Sequence, residues 1–289
     1  MTTITAEVVA DSVSQEGVRL TTMQLVYPRF LLAQLNTHRS FARSTASHRA
    51  IPSSKLIERI KKDPYIPIYW GKNQRGMVAP EELPKATQYL AREEWLAAMT
   101  DAIAHAERLR ELGVHKQTAN RILEPFLHAS TVITGTDWEN FFGLRTPEDA
   151  QPEIQALAWV MAEALYEPKA PPQELREWQW HLPYVRTGEF YMSDPEQLVL
   201  AQKCSVARCA RVSYLNHDNT NSDVTNDVRL YDQLIANGHV SPAEHQARPA
   251  SQPFYRSGNL RGWIQYRKEL SNELRKFDYA KAKEARKRM

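Results

Sequence analysis

Residues 27–49 read YPRFLLAQLNTHRSFARSTASHR, from Tyr27 to Arg49. The first part, residues 28–37, predicts a helix that begins at Pro28, because the fixed φ of proline suits a first helical turn. The second part, residues 37–49, is called the motif segment here, and it concentrates Arg, His, Ser and Thr without any Gly or Pro. Guanidinium forks suit phosphate groups, and hydroxyls add neutral donors. The pattern indicates an anion-binding segment, with a solvated loop of scattered charge as the open alternative.

The motif segment resembles the signature of flavin-dependent thymidylate synthases, which is R-H-R, seven residues, S, one residue, and R. His38 and Arg39 match the second and third letters, and Ser47 and Arg49 fall in register. The helix that precedes the signature in that family also has counterparts here. Its matching positions are Pro28, Phe30 and Gln34. The resemblance therefore extends over more than twenty positions.

A second block supports the resemblance. Residues 120–125 resemble the family's A-R-x-x-L-P, residues 140–145 its N-F-x-x-L-R, and residues 150–154 its A-Q-x-E-I. Between the first two lies the β-branched run 131–135, which predicts a strand.

A third block is present but out of order. Residues 207–214 resemble A-A-R-V-S-Y, and residues 238–245 resemble G-H-T-S-P-F-E-H. Both elements precede the R-H-R signature in usual family members, whereas here they follow it. Residues 261–273 faintly resemble a second copy of the signature helix. The order implies circular permutation or internal duplication, as in virus-encoded and other divergent members.

The motif segment also departs from the family pattern. Thr37 stands in place of the first Arg, Ser44 in place of a usual Asn, and Thr45 in place of a usual Glu. The arginines that the family uses for phosphate are retained. These departures change the charge pattern of the segment and thereby the environment of the flavin and the ring.

The hydrophobic patterns predict an α+β fold with a helical insertion. Strands are predicted at 4–10 and 18–26. Helices are predicted at 28–37, 53–62, 88–112, 115–127, 150–166, 195–214, 223–237 and 260–276. We expect one catalytic unit over residues 1–289, with possible halves 1–166 and 195–289 joined by the linker 167–194, which is rich in Pro and aromatic residues.

Composition limits the functional classes. A net charge of +3 fits a small anionic substrate and is too weak to indicate nucleic-acid binding. No apolar run approaches the roughly 20 residues that span a bilayer, and the N-terminus lacks a signal-peptide pattern. We therefore expect a cytoplasmic protein, in the host cytoplasm if virus-encoded. Cys204 and Cys209 suggest neither a disulfide framework nor a zinc site, and both are predicted to be buried and structural.

The resemblance implies roles for individual residues. Arg49 and Arg121 would hold the nucleotide phosphate, with Ser47 and Gln34 nearby, and Arg145 would face the pyrimidine ring. Ser47 and Arg145 are the catalytic candidates. The FAD contacts would be His38, Arg39, Asn140 and Ser241.

Structural alternatives stay open for three of these residues. Gln34 could satisfy backbone groups of its own helix. Arg145 could pair with Glu148 or Asp149, and Ser241 could cap a helix.

The implied activity is methylation of C5 in dUMP by a flavoprotein that binds FAD. Methylenetetrahydrofolate would supply the carbon and a reduced nicotinamide cofactor (NADPH) the hydride, and the chain would form a homo-oligomer. A sister reaction, C5 hydroxymethylation of dUMP or dCMP, is the first alternative. A non-catalytic nucleotide-binding or nucleic-acid-binding protein is the second.

Overall fold

A five-stranded sheet with the order β3-β4-β2-β1-β5 lies at the centre of the computed structural model, which describes residues 3–212, 222–274 and 277–286. All neighbouring strands in it are antiparallel except β1 and β5. The sheet strands are β1 (Thr5–Ser14), β2 (Arg19–Pro28), β3 (Ala42–Thr45), β4 (His128–Gly135) and β5 (Gln173–Leu175). Two small two-stranded ladders pair β6 (Ala247–Pro249) with β9 (Trp263–Gln265) and β7 (Arg256–Ser257) with β8 (Leu260–Arg261).

Helices cover the sheet and form the insertion between β3 and β4. The α-helices are α1 (Leu32–Leu35), α2 (Ser53–Lys62), α3 (Lys85–Glu111), α4 (Lys116–Ala119), α5 (Glu139–Arg145), α6 (Pro152–Tyr166), α7 (Pro195–Arg211), α8 (Val224–Ala236) and α9 (Tyr279–Arg286). The 3-10 helices are Arg29–Leu31, Asn120–Phe126, Ser241–Glu244 and Tyr266–Glu269. None of the helices in the described part of the chain has the length and apolar character that crossing a bilayer requires.

The two faces of the sheet are buried in different ways. Alternate residues of β2 and β4, such as Met23, Leu25 and Ile133, pack against Leu157 and Met161 of α6. The opposite face is more polar. It packs its Val132 against Cys209 at the end of α7. The second face therefore joins the two halves of the sequence.

The strand predictions are confirmed, and β1 and β2 each extend beyond the predicted C-terminal end. They form a hairpin whose turn places Gly17 at φ +77°, a conformation that glycine adopts without the usual steric cost. The mixed α+β class is also confirmed. Strand β3 was not predicted, because its four residues are mostly polar and become a strand only by pairing with β4.

Most helix predictions are confirmed within a few residues, at 53–62, 88–112, 150–166, 195–214 and 223–237. Local chemistry explains why they begin where they do. Pro152 and Pro195 occupy first-turn positions, and Asp194 and Asp223 accept backbone N–H groups as N-caps. Helix α7 ends at Arg211, and Ser213 and Tyr214 of the third sequence block lie outside the described residues.

Three helix predictions are wrong in whole or in part. Pro28 ends β2 instead of opening a helix, and only short helical turns follow it, over Arg29–Leu35. The predicted helix 115–127 becomes a 3-10 helix after Ala119 and contains Pro125. Residues 260–269 form β8, β9 and a 3-10 turn, because Gly262 adopts φ +72° and Trp263 is buried against the sheet hairpin. The short helix α5 was not predicted.

Candidate functional site

The motif segment folds back on helix α1. Helix α1 ends at Leu35, and Arg43 of β3 reaches back from the far end of the turn. Its guanidinium donates to the Leu35 carbonyl at 3.3 Å and to the His38 carbonyl. Thr37, which replaces the family's Arg, donates its hydroxyl to the Gln34 carbonyl at 2.7 Å. The turn is therefore held by side chains of the segment itself.

His38 and Arg145 contact each other inside this turn. Arg145 Nε donates to His38 Nε2 at 3.0 Å, so the ring accepts at Nε2 and is neutral. Burial lowers the His38 pKa, and the positive charges of Arg145 and Arg43 lower it further. This contact replaces the pairing with Glu148 or Asp149 considered as an alternative for Arg145. Because Nε is used by His38, the two terminal nitrogens of Arg145 are left for another acceptor.

Gln34 lies with Arg145 at the same cavity. The cavity measures about 910 Å³ and is also lined by Tyr69, Gln151 and Glu153. The Gln34 side-chain oxygen is buried and has no hydrogen-bond partner in the described part of the chain. Buried carbonyls without partners are costly, and a ligand N–H would relieve that cost. The backbone-satisfying alternative for Gln34 does not account for this oxygen.

Ser47 lies at a second cavity, of about 610 Å³, on the other side of the motif segment. Its rim carries Arg59 and Lys62 of α2 and Arg211 of α7. Asp63 also lines it and lies 3.9 Å from His128. The cations outnumber the carboxylates, so this cavity favours an anionic ligand.

Arg49 and Arg121 come from backbone segments that Asn120 joins. The Asn120 amide donates to the carbonyls of His48, at 2.8 Å, and Ile51, at 3.1 Å, on either side of Arg49. Arg121 follows Asn120 directly, and both arginines are exposed. Arg121 Nη1 lies 2.7 Å from Glu124 Oε1 at a third cavity, of about 700 Å³. Sequence analysis did not anticipate this clamp by Asn120.

The other predicted flavin contacts, Arg39, Asn140 and Ser241, lie on the surface of the chain. The alternative of Ser241 as a helix cap is wrong. The 3-10 helix there begins after Val240, and no side chain caps it. The structure thus brings Gln34, His38 and Arg145 together and leaves Ser47 at a different cavity.

Both cysteines are buried and free. Burial raises the pKa of Cys204 to about 12 and raises that of Cys209 as well. Neither thiol is therefore activated as a nucleophile.

Two imidazoles that sequence analysis did not assign to the site, His181 and His245, are buried on the polar face of the sheet. The pKa of both rings is lowered to about 3, mainly by burial, and the charge of His245 also contributes to the lowering at His181. His245 lies in the third sequence block, where the last letter of the G-H-T-S-P-F-E-H motif was its only signal.

These histidines predict a pH-dependent stability. Below about pH 6.5 the unfolded chain binds a proton at each ring, whereas the folded chain stays neutral until about pH 3. The free energy of unfolding should therefore fall as the pH is lowered through this window, by about 1.4 kcal/mol per ring and pH unit. Urea unfolding between pH 7 and 4.5 measures the slope. His245→Asn should reduce this slope by the amount that corresponds to one proton. His105→Asn, which replaces an exposed histidine, should leave the slope unchanged. Equal slopes in the wild-type protein and both variants would contradict the prediction.

Comparison with known proteins identifies relatives of this arrangement. The sequence model of the family described as "Thymidylate synthase complementing protein" matches residues 17–171, which include the motif segment and the second sequence block. A flavin-dependent thymidylate synthase of Pyrococcus abyssi (strain GE5 / Orsay) is 32% identical over 94 residues, which are 32% of this chain and 38% of that protein. That of Pyrococcus horikoshii is 32% identical over 103 residues, 35% of this chain and 42% of that protein. The chain thus matches about two fifths of the length of these curated relatives.

A solved structure supports the fold. The UMP/dUMP methylase PolB from Streptomyces cacaoi, bound with 5-Br UMP, superposes with a TM-score of 0.50. It is 18% identical, and the match covers 58% of this chain and 91% of that one. At this identity the likeness concerns the fold alone.

Proposed function

Because the chain belongs to the thymidylate synthase complementing protein family, we propose that it is a flavin-dependent one-carbon transferase that methylates C5 of dUMP. Methylenetetrahydrofolate would supply the carbon and NADPH the reducing equivalents. The observation that carries the proposal is the family match over residues 17–171, which contains eight of the nine candidate site residues. The relatives named above are flavin-dependent enzymes, and the solved relative acts on UMP and dUMP.

The described residues fit a bound flavin. Arg39 is an exposed cation and Ser241 an exposed hydroxyl, both suited to a pyrophosphate. His38, Arg39, Asn140 and Ser241 would hold FAD, which supplies the hydride chemistry that side chains lack.

The remaining candidates would bind and orient the nucleotide. Arg49 and Arg121 would hold the phosphate, with Ser47 and Gln34 nearby. Arg145 would donate its terminal N–H groups to a ring carbonyl oxygen, where charge develops during reaction. His38 fixes the guanidinium plane through the 3.0 Å bond to Nε, so Arg145 would be oriented before the substrate arrives.

A complete site would need more than one chain. Arg145, Ser47 and Arg121 line three separate cavities of the same chain. We therefore propose a homo-oligomer in which surfaces of two subunits complete each site. We also propose that residues 1–289 act as one catalytic unit. Permutation or internal duplication is our account of the reordered third block, and the folded strands over residues 260–265 favour permutation over a decayed helical copy.

C5 hydroxymethylation of dUMP or dCMP is the second candidate. The observation that favours it is the uncharged side chain of Thr45, which stands where the family has Glu. Its hydroxyl lies 2.9 Å from that of Thr131, so a hydroxyl pair occupies the position of a carboxylate. Such a change alters which ring edge the site accepts.

Product analysis tests the proposed function. We expect the purified protein to be yellow with bound FAD and to convert dUMP, methylenetetrahydrofolate and NADPH to a nucleotide heavier by one methylene group. Mass spectrometry after parallel reactions with dUMP and dCMP distinguishes a methyl from a hydroxymethyl product. A protein that stays colourless after reconstitution with FAD, and converts neither nucleotide, would overturn both enzymatic candidates.

A further inference from the structure

A continuous chain of side-chain hydrogen bonds crosses the polar face of the sheet. Its five links join six groups, none of them a carboxylate or a cation. The links are Ser12 Oγ to His181 Nδ1 (2.9 Å), His181 Nε2 to Thr22 Oγ1 (2.8 Å), Thr22 Oγ1 to Thr134 Oγ1 (2.7 Å), Thr134 Oγ1 to His245 Nδ1 (2.8 Å), and His245 Nε2 to Ser44 Oγ (3.0 Å).

The sheet register explains how the hydroxyls align. Thr22 of β2 lies directly opposite Thr134 of β4. Ser12 of β1 is two residues from the residue that pairs with Thr22, and Ser44 of β3 is two residues from the residue that pairs with Thr134. All four side chains therefore point to the same face. One hydroxyl therefore comes from each of the four strands.

The imidazoles come from elsewhere in the sequence and close the gaps between hydroxyls. His181 lies in the loop after β5, and its backbone pairs with Ala247, two residues beyond His245. The pairing positions both rings over the sheet. Sequence patterns gave no reason to connect two residues 64 positions apart, since the bridge depends on tertiary contacts alone.

The two ends of the chain face different surroundings. Ser12 and His181 line a cavity of about 530 Å³, with Trp178, Trp180 and Phe190 on its walls. Ser44 lies in the motif segment, between Arg43 and Thr45, and is partly exposed. The four middle groups are at most 1% exposed, so water does not reach the links between them.

We propose that these six side chains form a proton relay between the motif segment and the cavity at Ser12. This inference rests on the proposed function, because replacing the hydrogen at C5 of a pyrimidine with a carbon substituent releases a proton. The relay carries such a proton away from the motif segment without a charged group in the interior. The low pKa of both rings supports this, since a neutral imidazole can both accept and donate.

The transfer balances along the chain. When a proton arrives at Ser44 Oγ, Ser44 passes its own proton to His245 Nε2, and His245 passes its Nδ1 proton to Thr134. Thr134 passes a proton to Thr22, Thr22 to His181 Nε2, and His181 Nδ1 to Ser12, which releases one to water in the cavity. Each group ends neutral, and both rings change from Nδ1–H to Nε2–H.

The relay requires that both rings always carry the same tautomer, because each hydroxyl has one proton to donate. Nitrogen-15 NMR of histidine-labelled protein without substrate measures this, with His181→Asn and His245→Asn used for assignment. We expect two neutral rings with equal tautomer ratios at pH 7. Opposite tautomers, or a protonated ring, would overturn the proposal whether or not the protein is an enzyme.

Breaking the middle link tests the transfer itself. Thr134→Val removes one hydroxyl from the relay, and Thr21→Val removes a buried hydroxyl of the neighbouring strand β2 outside it. In Thr134→Val we expect unequal tautomer ratios and a kcat lower by about tenfold or more, with nucleotide affinity changed less than twofold. In Thr21→Val we expect equal ratios and an unchanged kcat. Thr22→Val repeats the test if Thr134→Val does not fold. An unaltered kcat in a folded relay variant would contradict the proposal. A wild-type protein that converts no nucleotide refutes the proposed function instead.

Discussion

Replacing Arg49 or Arg121 with alanine is expected to weaken nucleotide binding roughly tenfold or more while leaving FAD bound. Under the proposed function each guanidinium makes charge-assisted hydrogen bonds to the substrate phosphate, typically about 1.5–3 kcal/mol apiece. About 1.4 kcal/mol corresponds to a factor of ten in affinity. Isothermal titration of dUMP against the FAD-bound variants measures the loss, and flavin absorbance reports retention of the cofactor.

The environment of Arg121 permits this role. The Arg121 side chain that contacts Glu124 is more than half exposed. Ion pairs this exposed contribute about 0–1 kcal/mol to stability. Glu124 also lies 3.8 Å from Arg29, so it keeps a cationic neighbour when Arg121 moves to a phosphate. The phosphate contact is therefore worth more than the contact it replaces.

A matched variant separates this effect from a general loss of positive charge. Arg92→Ala removes a half-exposed guanidinium from α3, away from the motif segment, and should leave nucleotide affinity unchanged. An Arg49→Ala protein that loses FAD but retains nucleotide affinity would show that the two roles are assigned the wrong way round.

Sequence patterns predicted the helices and strands whose structure is determined by their own residues. Helices such as α2 and α6 carry an apolar face at helical spacing, and α7 and α8 also carry an Asp cap. Residues 260–276 show a similar pattern, but residues 260–265 form short strands and Tyr266–Glu269 a 3-10 helix. The reason is that Trp263 is buried against the β1–β2 hairpin and Gly262 turns the chain. Tertiary contacts there override local preference.

The sequence predicted which residues belong to the candidate site but not how they are arranged in space. The motif pointed to Arg145 and His38, but not to the bond between them, which joins residues 107 positions apart. Arg43 lies within the motif segment. Its role in holding the turn depends on two backbone carbonyls that only the fold brings close to its guanidinium. A linear motif records which residues are present, and it does not record their partners.

Arg208 and Arg211 in the third sequence block are a second case in which the linear motif does not record the partners of its residues. Both arginines of α7 are buried and converge on Asp227 of α8, which is fully buried. Arg208 Nε lies 2.8 Å from one Asp227 oxygen, which also accepts from the Ser222 hydroxyl at 2.6 Å. Arg208 further pairs with Glu189 at 2.5 Å. Two cations and two carboxylates thus compensate each other inside the protein.

Replacing Asp227 with asparagine should therefore cost about 3–5 kcal/mol of unfolding free energy, because it leaves Arg211 buried without its counter-charge. Urea unfolding at pH 7 measures the loss. Asp232→Asn on the same helix is the matched control, since its partner Lys203 lies 3.1 Å away at the surface and the pair contributes about 0–1 kcal/mol. Because Arg211 also lines the Ser47 cavity, the Asp227 variant should lose activity at temperatures where it is still folded. Equal stability of the two variants would mean that solvent, and not Asp227, compensates these arginines.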